Sequence, residues 1–242
     1  MKRRRFIAGA VALSVTRTHA NEKAALSGSR FTIGGDEFLL ADVAAPPLYH
    51  LRNQQPAYFE NARKDLSRLL RERIEISEML PRNRWGVQQV KVTTGATTFQ
   101  EKLVSRGSCR VLPQSDDHEF IRVLLALEAQ ARTAKRGLWA FPEYKLISAD
   151  NAYPAIGDYA LVEGTPQRAA KYGSRFFLNF DEDFRSDFTA TATSARQRKW
   201  AKAGIDLTEY EGRKIRVRGW VEAINGPSID LQHPLQIEVL DG

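Results

Sequence analysis

Cysteine is almost missing from this 242-residue chain: Cys109 stands alone. That excludes an intramolecular disulfide framework and any thiolate metal cluster. In the run Ser108-Cys109-Arg110-Val111 the thiol is expected to be a small packed residue. No apolar run reaches the roughly 18–20 residues that cross a bilayer, so a polytopic membrane protein is excluded too. Internal repeats and low-complexity tracts are absent, and His50, His118 and His233 stand isolated, with no Ser-His-Asp or metal-ligand spacing around them. What is present looks ordinary. Apolar residues make up 43% and charged residues 27%, near the soluble-globular average, which sets aside disorder, collagen and coiled coil. The length suits one large domain or two small ones.

A formal charge of +7 invites a nucleic-acid reading, but its location weakens it. Residues 1–20 hold five basic side chains (Lys2, Arg3, Arg4, Arg5, Arg17) and no acidic one, which leaves +2 for the rest. Lys2-Arg3-Arg4-Arg5 precedes the apolar stretch Phe6–Val15, and Thr18-His19-Ala20 ends in a small residue. That is the basic region, short apolar region and cleavage site of a secretory signal peptide. The expected location is therefore periplasmic or secreted, with no transmembrane segment in the mature chain. Arg3-Arg4-Arg5-Phe6-Ile7 also fits the twin-arginine pattern, and both export routes stay open.

Beyond the leader, the chain reads as two halves, 21–142 and 158–242, joined by a linker at 143–157. Phe31–Ile33 and Phe38–Ala41 flank Gly34-Gly35-Asp36-Glu37, a strand–turn–strand signal. Phe59, Ala62, Leu66 and Leu69 recur at helical spacing. Arg73–Ile76 and Val87–Thr93 alternate like strands, and Leu103–Gly107 ends a short helix. Asp116-Asp117 caps a further helix running to Arg136, with Phe120, Leu124, Leu127, Ala131 and Ala134 as its apolar stripe and Gly137 as its stop. In the second half, strands are expected at 158–166, 174–180, 187–194, 213–222 and 228–240, with a helical turn or two at 196–203. Five strands with a helix between the third and fourth is the order of an oligonucleotide/oligosaccharide-binding (OB) barrel. The predicted class is mainly β with α: a helix-bearing barrel followed by a second, smaller one.

His118-Glu119 followed by Leu127–Trp139, ending Gly137-Leu138-Trp139, resembles the last helix of the staphylococcal-nuclease-like (thermonuclease) family. Leu39–Pro46, Asn83-Arg84-Trp85-Gly86 and Phe99–Val111 are similar to further segments of that family, and the resemblance spans about 28–142. Phe177–Phe180, Arg216–Trp220 and His233–Leu240 look like an OB domain that follows it in some bacterial members.

The resemblance implies calcium-assisted phosphodiester hydrolysis: acidic oxygens for a hard cation, a carboxylate to activate water, arginines to clamp phosphate. Each family position holds something else here. The metal-binding aspartate falls on Ser29 and a second aspartate on Ala44. The general-base glutamate falls on Pro47, and the two arginines on Leu39 and Val87. Asp42, two residues before Ala44, is the one carboxylate that would restore a metal ligand; Asp36 and Glu37 read as solvated turn charges. A nuclease fold without nuclease activity and without a cofactor is the expectation, and the alternative is a calcium-dependent nuclease with relocated acids.

As a binding module, such a protein has two classes of partner: single-stranded nucleic acid or an envelope protein. Lys214, Arg216, Arg218 and Trp220 alternate with Ile215, Val217, Gly219 and Val221, a basic row ending in an indole. That row reads either as a strand-binding ladder or as a solvated outer face. Phe176, Phe177 and Phe180 read either as stacking platforms or as core.

Overall fold

The structure is a computed structural model that describes residues 22–47, 56–181 and 188–240. The predicted leader, 1–20, lies outside the described residues.

The first unit is built on a hairpin. β1 (Lys23–Ala25) pairs with β2 (Arg30–Ile33), which turns into β3 (Asp36–Leu40) through Gly34 and Gly35 at φ 59° and 96°. That backbone is open to glycine at no steric cost. β4 (Val43–Ala44) and α1 (Pro56–Leu69) follow, then β5 (Glu75–Leu80) and β6 (Gln88–Thr94). The sheet order is β1-β2-β3-β6-β5, with β3 and β6 parallel. β5 begins two residues later than the alternation at 73–76 predicts.

β7 (Thr97–Thr98) leads into α2 (Phe99–Ser105), which is fixed by a capping box between Thr98 and Glu101. β8 (Arg110–Val111) pairs with β4. α3 (His118–Thr133) begins on Asp117, whose carboxylate accepts from the Phe120 amide. It stops at Thr133, earlier than predicted: Lys135 takes φ 49°, and Arg136 N–H and Lys135 N–H donate to the carbonyls of Ala131 and Arg132. This is a Schellman close made by lysine, where Gly137 was expected. Ala134 is exposed, and Glu128 occupies a fully buried position in the stripe.

The stretch 143–157 forms short 3-10 turns and β9 (Ile147–Ser148), and its Ala149, Ala152 and Ala155 pack into the second core. β10 (Tyr159–Gly164), β11 (Arg168–Tyr172), β12 (Arg175–Asn179) and β13 (Thr189–Thr193) come next. α4 (Ser194–Lys202) precedes β14 (Ile215–Ala223), β15 (Pro227–Asp230) and β16 (Ile237–Val239). Hydrogen-bonded neighbours run β11-β12-β13-β15-β14-β10-β9, with β13 and β15 parallel. β10 and β11 are consecutive in the chain, so the β11 end of that path connects back to β10 through only residues 165–167. This is OB order with a first strand split in two, and α4 lies between the third and fourth strands as expected.

Each unit has its own apolar core, and a third cluster of Ala131, Leu138, Trp139, Tyr144, Tyr159 and Leu161 joins them. Tyr159 Oη donates to the Val111 carbonyl at 2.7 Å, and His233 Nε2 lies 2.9 Å from the Ser115 carbonyl, so polar bonds cross the junction as well.

Candidate functional site

Three places in the fold bear on function, and the first holds the five positions that the sequence resemblance assigns to catalysis. Ser29 is buried in the turn before β2, its carbonyl accepting from Leu40 N–H. Leu39 stands opposite Arg30 and Gln89, Ala44 opposite Arg110, and Val87 is buried just ahead of β6. Pro47 is exposed at the edge of the described segment. No carboxylate or cation stands at any of the five.

Asp42 does not replace them. It sits at φ 61° with its side chain fully buried. Oδ1 accepts from the amides of Gln114 and Ser115 at 2.8 and 2.9 Å, and Oδ2 from Ser115 Oγ at 2.6 Å. Its backbone carbonyl accepts from Leu112 N–H as well. The carboxylate ties the β3–β4 turn to the approach of α3 through three side-chain hydrogen bonds. No group of three or more His, Cys, Asp or Glu side chains is arranged to hold a metal among the described residues. Neutral Ser29, Ala44 and Pro47 supply no ligand charge, so this donor set does not fit calcium.

The second place is the predicted basic row on β14. The structure separates its members. Arg218 is fully buried: Nη2 lies 2.8 Å from Glu128 and 2.5 Å from Glu238, and Nη1 donates to the Val111 carbonyl. Arg216 is nearly buried between Glu163 at 2.9 Å and Glu238 at 3.3 Å. Arg132 reaches the same Oε2 of Glu128 at 3.5 Å. The result is an alternating chain, Glu163–Arg216–Glu238–Arg218–Glu128–Arg132, three charges of each sign running across the junction of the two barrels. Burial opposes the charge on Arg218, but Glu128 and Glu238 outweigh it and raise its pKa further above the ordinary arginine value. Burial likewise opposes ionised Glu238, and Arg218 wins, holding that carboxyl below the usual range.

Lys214 and Trp220 remain exposed at the two ends of the strand. Six residues of extended chain put them about 20 Å apart. Periodicity correctly separated the two faces of β14. The face opposite the core is neither ladder nor solvated surface, because it meets the first barrel.

Of the third place only Phe177 was singled out in the sequence. Across the open face of the second barrel the ladder register lines up rows of side chains. Arg168 stands opposite Asn179, which stands opposite Thr189, which pairs with Ser228. In the next row Ala170 faces Phe177 and Phe177 faces Thr191; in the third Tyr172 faces Arg175. Alanine and threonines are short, while Tyr172, Arg175 and Ile224 are tall, so the face encloses a cavity of about 560 Å³. Tyr172 is 59% exposed and meets Phe177 edge-on at 6.2 Å. Asp230 holds Arg175 at 2.7 Å and Arg196 at 3.0 Å, which fixes the guanidinium at the cavity wall. The β14–β15 turn contributes Ile224 and Asn225. This strand face with its flanking turns is where OB folds take up oligonucleotides and oligosaccharides. Phe177 lines the cavity, whereas Phe176 and Phe180 lie in the core. Tyr172 and Arg168 were hidden in Arg-Ala-Ala-Lys-Tyr, a stretch without strand alternation.

Residues 37–141 match the family model described as staphylococcal nuclease homologue. No curated protein matches the chain.

Proposed function

We propose that this chain, whose residues 37–141 form a staphylococcal-nuclease-like domain, is an exported binding protein that does not hydrolyse phosphodiesters and holds single-stranded nucleic acid on the open face of its second barrel. The observation that carries the reading is the cavity of about 560 Å³ in which Tyr172 and Phe177 stand beside Arg168 and Arg175. Exposed aromatic rings stack on bases of any sequence, and arginines beside them meet the phosphates. The chemistry at Ser29, Leu39, Ala44, Pro47 and Val87, with Asp42 fully engaged, supports the absence of hydrolysis. The leader at 1–20 supports an exported location in the periplasm or outside the cell.

A fluorescein-labelled single-stranded oligonucleotide, followed by anisotropy with calcium over hours, tests both parts. A stable rise that weakens with salt is expected. Tyr172→Ala combined with Arg168→Ala is expected to lower affinity about 10-fold or more, since one base stack is worth about 1–3 kcal/mol. Signal decaying below that of the free probe, abolished by chelation, establishes a nuclease with relocated acids and overturns the reading. No rise at micromolar protein overturns the nucleic-acid part and turns the search to an envelope protein.

A further inference from the structure

The segment 151–242 has 12 basic and 13 acidic side chains, so a positive surface there has to come from segregation. Half of the basic ones stand either at the aromatic cavity or on α4. Arg168 and Arg175 line the cavity, and Arg196, Arg198, Lys199 and Lys202 belong to the helix. α4 is fastened to the cavity wall by its first turn. Ser194 N–H donates to the carbonyl of Ser174, in the turn between Tyr172 and Arg175. Asp230 accepts from Arg175 on one oxygen and from Arg196 on the other, at 2.7 and 3.0 Å. Arg196 Nη1 also donates to the Leu231 carbonyl at 3.3 Å.

Past that turn the helix presents an uncompensated row. Ala195, Arg198, Lys199 and Lys202 are spaced three and four apart and share one face. With Ala203 they line a shallow open depression that holds no carboxylate. All three cations are exposed, and none has a hydrogen-bond or ion-pair partner among the described residues. Asp206, the acidic residue after the helix, is taken up by Gln197 and the Thr208 amide. Trp200, on the other side of the helix, is buried in the second core. The carbonyl end of a helix favours lysines such as Lys199 and Lys202. It does not call for Arg198 beside them. Only Ala195 and Ala203 are apolar on this face, so a lipid surface finds no anchor there. A row of phosphates needs none.

We infer that this face of α4 carries the sugar–phosphate backbone of a single strand whose bases occupy the cavity. The binding site then runs from Arg168 and Tyr172, across Arg175 and Arg196, to Lys202. The inference rests on the oligonucleotide reading of the cavity. Arg175 and Arg196 share one carboxylate, so much of their charge is already met, and the helix supplies the free cations. From Arg196 to Lys202 the axis advances about 9 Å. That lengthens the site within the roughly 4–16 nucleotides that an OB barrel takes. Three added phosphate contacts, at about 0.7 each on a single strand, steepen the log–log salt slope by about 2.

The test is anisotropy of the full mature chain with fluorescein-labelled oligothymidylates of about 4 and about 12 nucleotides, titrated at several chloride concentrations. The longer strand is expected to bind more tightly, with a slope steeper by about 2. Arg198→Gln, Lys199→Gln and Lys202→Gln together remove exposed charge and leave the core alone. That triple variant is expected to bring the longer strand to the slope of the shorter one and to lower its affinity about tenfold at low salt, with the shorter strand unchanged. Equal slopes for the two lengths in the wild type, or an unchanged slope in the triple variant, overturn the inference and leave the cavity reading standing. Tyr172→Ala with Arg168→Ala is expected to weaken both lengths. If it weakens neither, the cavity reading falls and the continuous track falls with it, as both do if neither length binds.

Discussion

Arg218 and Glu128 meet at 2.8 Å with neither side chain exposed, the arginine from one barrel and the glutamate from the other. Removing one partner leaves the other as a buried charge with only part of its compensation, Glu238 for Arg218 or Arg132 for Glu128. Arg218→Met or Glu128→Gln is expected to destabilise by about 3–5 kcal/mol. For a chain of this size that lowers Tm by about 6–20 °C, read by calorimetry. Arg218→Met with Glu128→Leu is expected to lose less than the sum of the single variants, because the two sites share one interaction.

Acid acts on the same junction in two separate windows. His233 Nδ1 accepts from Leu235 N–H at 3.1 Å, which assigns the proton to Nε2, donated to the Ser115 carbonyl. Burial, then the neighbouring His118 charge, holds its pKa below the ordinary value. The unfolded chain therefore binds this proton first. His233 contributes its full stability above about pH 6.5 and loses it as pH falls toward its folded pKa. Glu238, whose folded pKa is depressed, contributes above about pH 4.3 and loses its share below that. Urea midpoints are expected to fall between pH 7.5 and 5.5 in the wild type and to fall less in His233→Gln.

Asp42 is expected to matter for folding and not for metal. Asp42→Ala removes three hydrogen bonds to the 114–115 segment and leaves the buried Ser115 amide unpaired. A loss of about 2–4 kcal/mol follows, measured by chemical denaturation. Calcium and EDTA are expected to leave the Tm of the wild-type protein at the same value, and a calcium-dependent rise that Asp42→Asn removes contradicts this role.

How much of this was legible in the sequence differs from element to element. The β2–β3 hairpin and the start of α3 were legible because glycine pairs and a capping aspartate act locally. The stop of α3 was not, since a lysine in the left-handed region gives no sequence signal and Gly137 two residues on does. Alternation along β14 marked two faces, but a period of two carries no information about what covers each face. Arg216 and Arg218 were therefore read against solvent, when Glu163, Glu128 and Glu238 meet them from distant parts of the chain. Glu128 itself sits in an apolar stripe where a carboxylate makes sense only once its arginine is known. Phe177 was among the stacking candidates, but the cavity around it was missed for a related reason: it meets Tyr172 through strand pairing.

Gly107 and Gly137 cross so closely that a side chain on either strikes backbone. A Cβ on Gly107, at φ 72°, would stand 2.2 Å from the Arg136 carbonyl oxygen, and one on Gly137 2.4 Å from that of Gly107. Gly107→Ala is expected to cost about 2–4 kcal/mol through positive φ and overpacking together. Gly173→Asn, also at positive φ but with nothing within 4 Å, is the control and is expected to cost under about 1 kcal/mol.

The alternating row of glutamates and arginines also decides what happens when this chain is divided. Val111 gives its amide to Glu128 and receives Tyr159 and Arg218 on its carbonyl, so a two-residue strand of the first barrel is bonded to both halves of the junction. A gene fragment ending near residue 142 encodes Glu128 without Arg218, and one beginning there encodes Arg218 with Glu238 but without Glu128. Separating the halves therefore breaks the buried pairing on both sides.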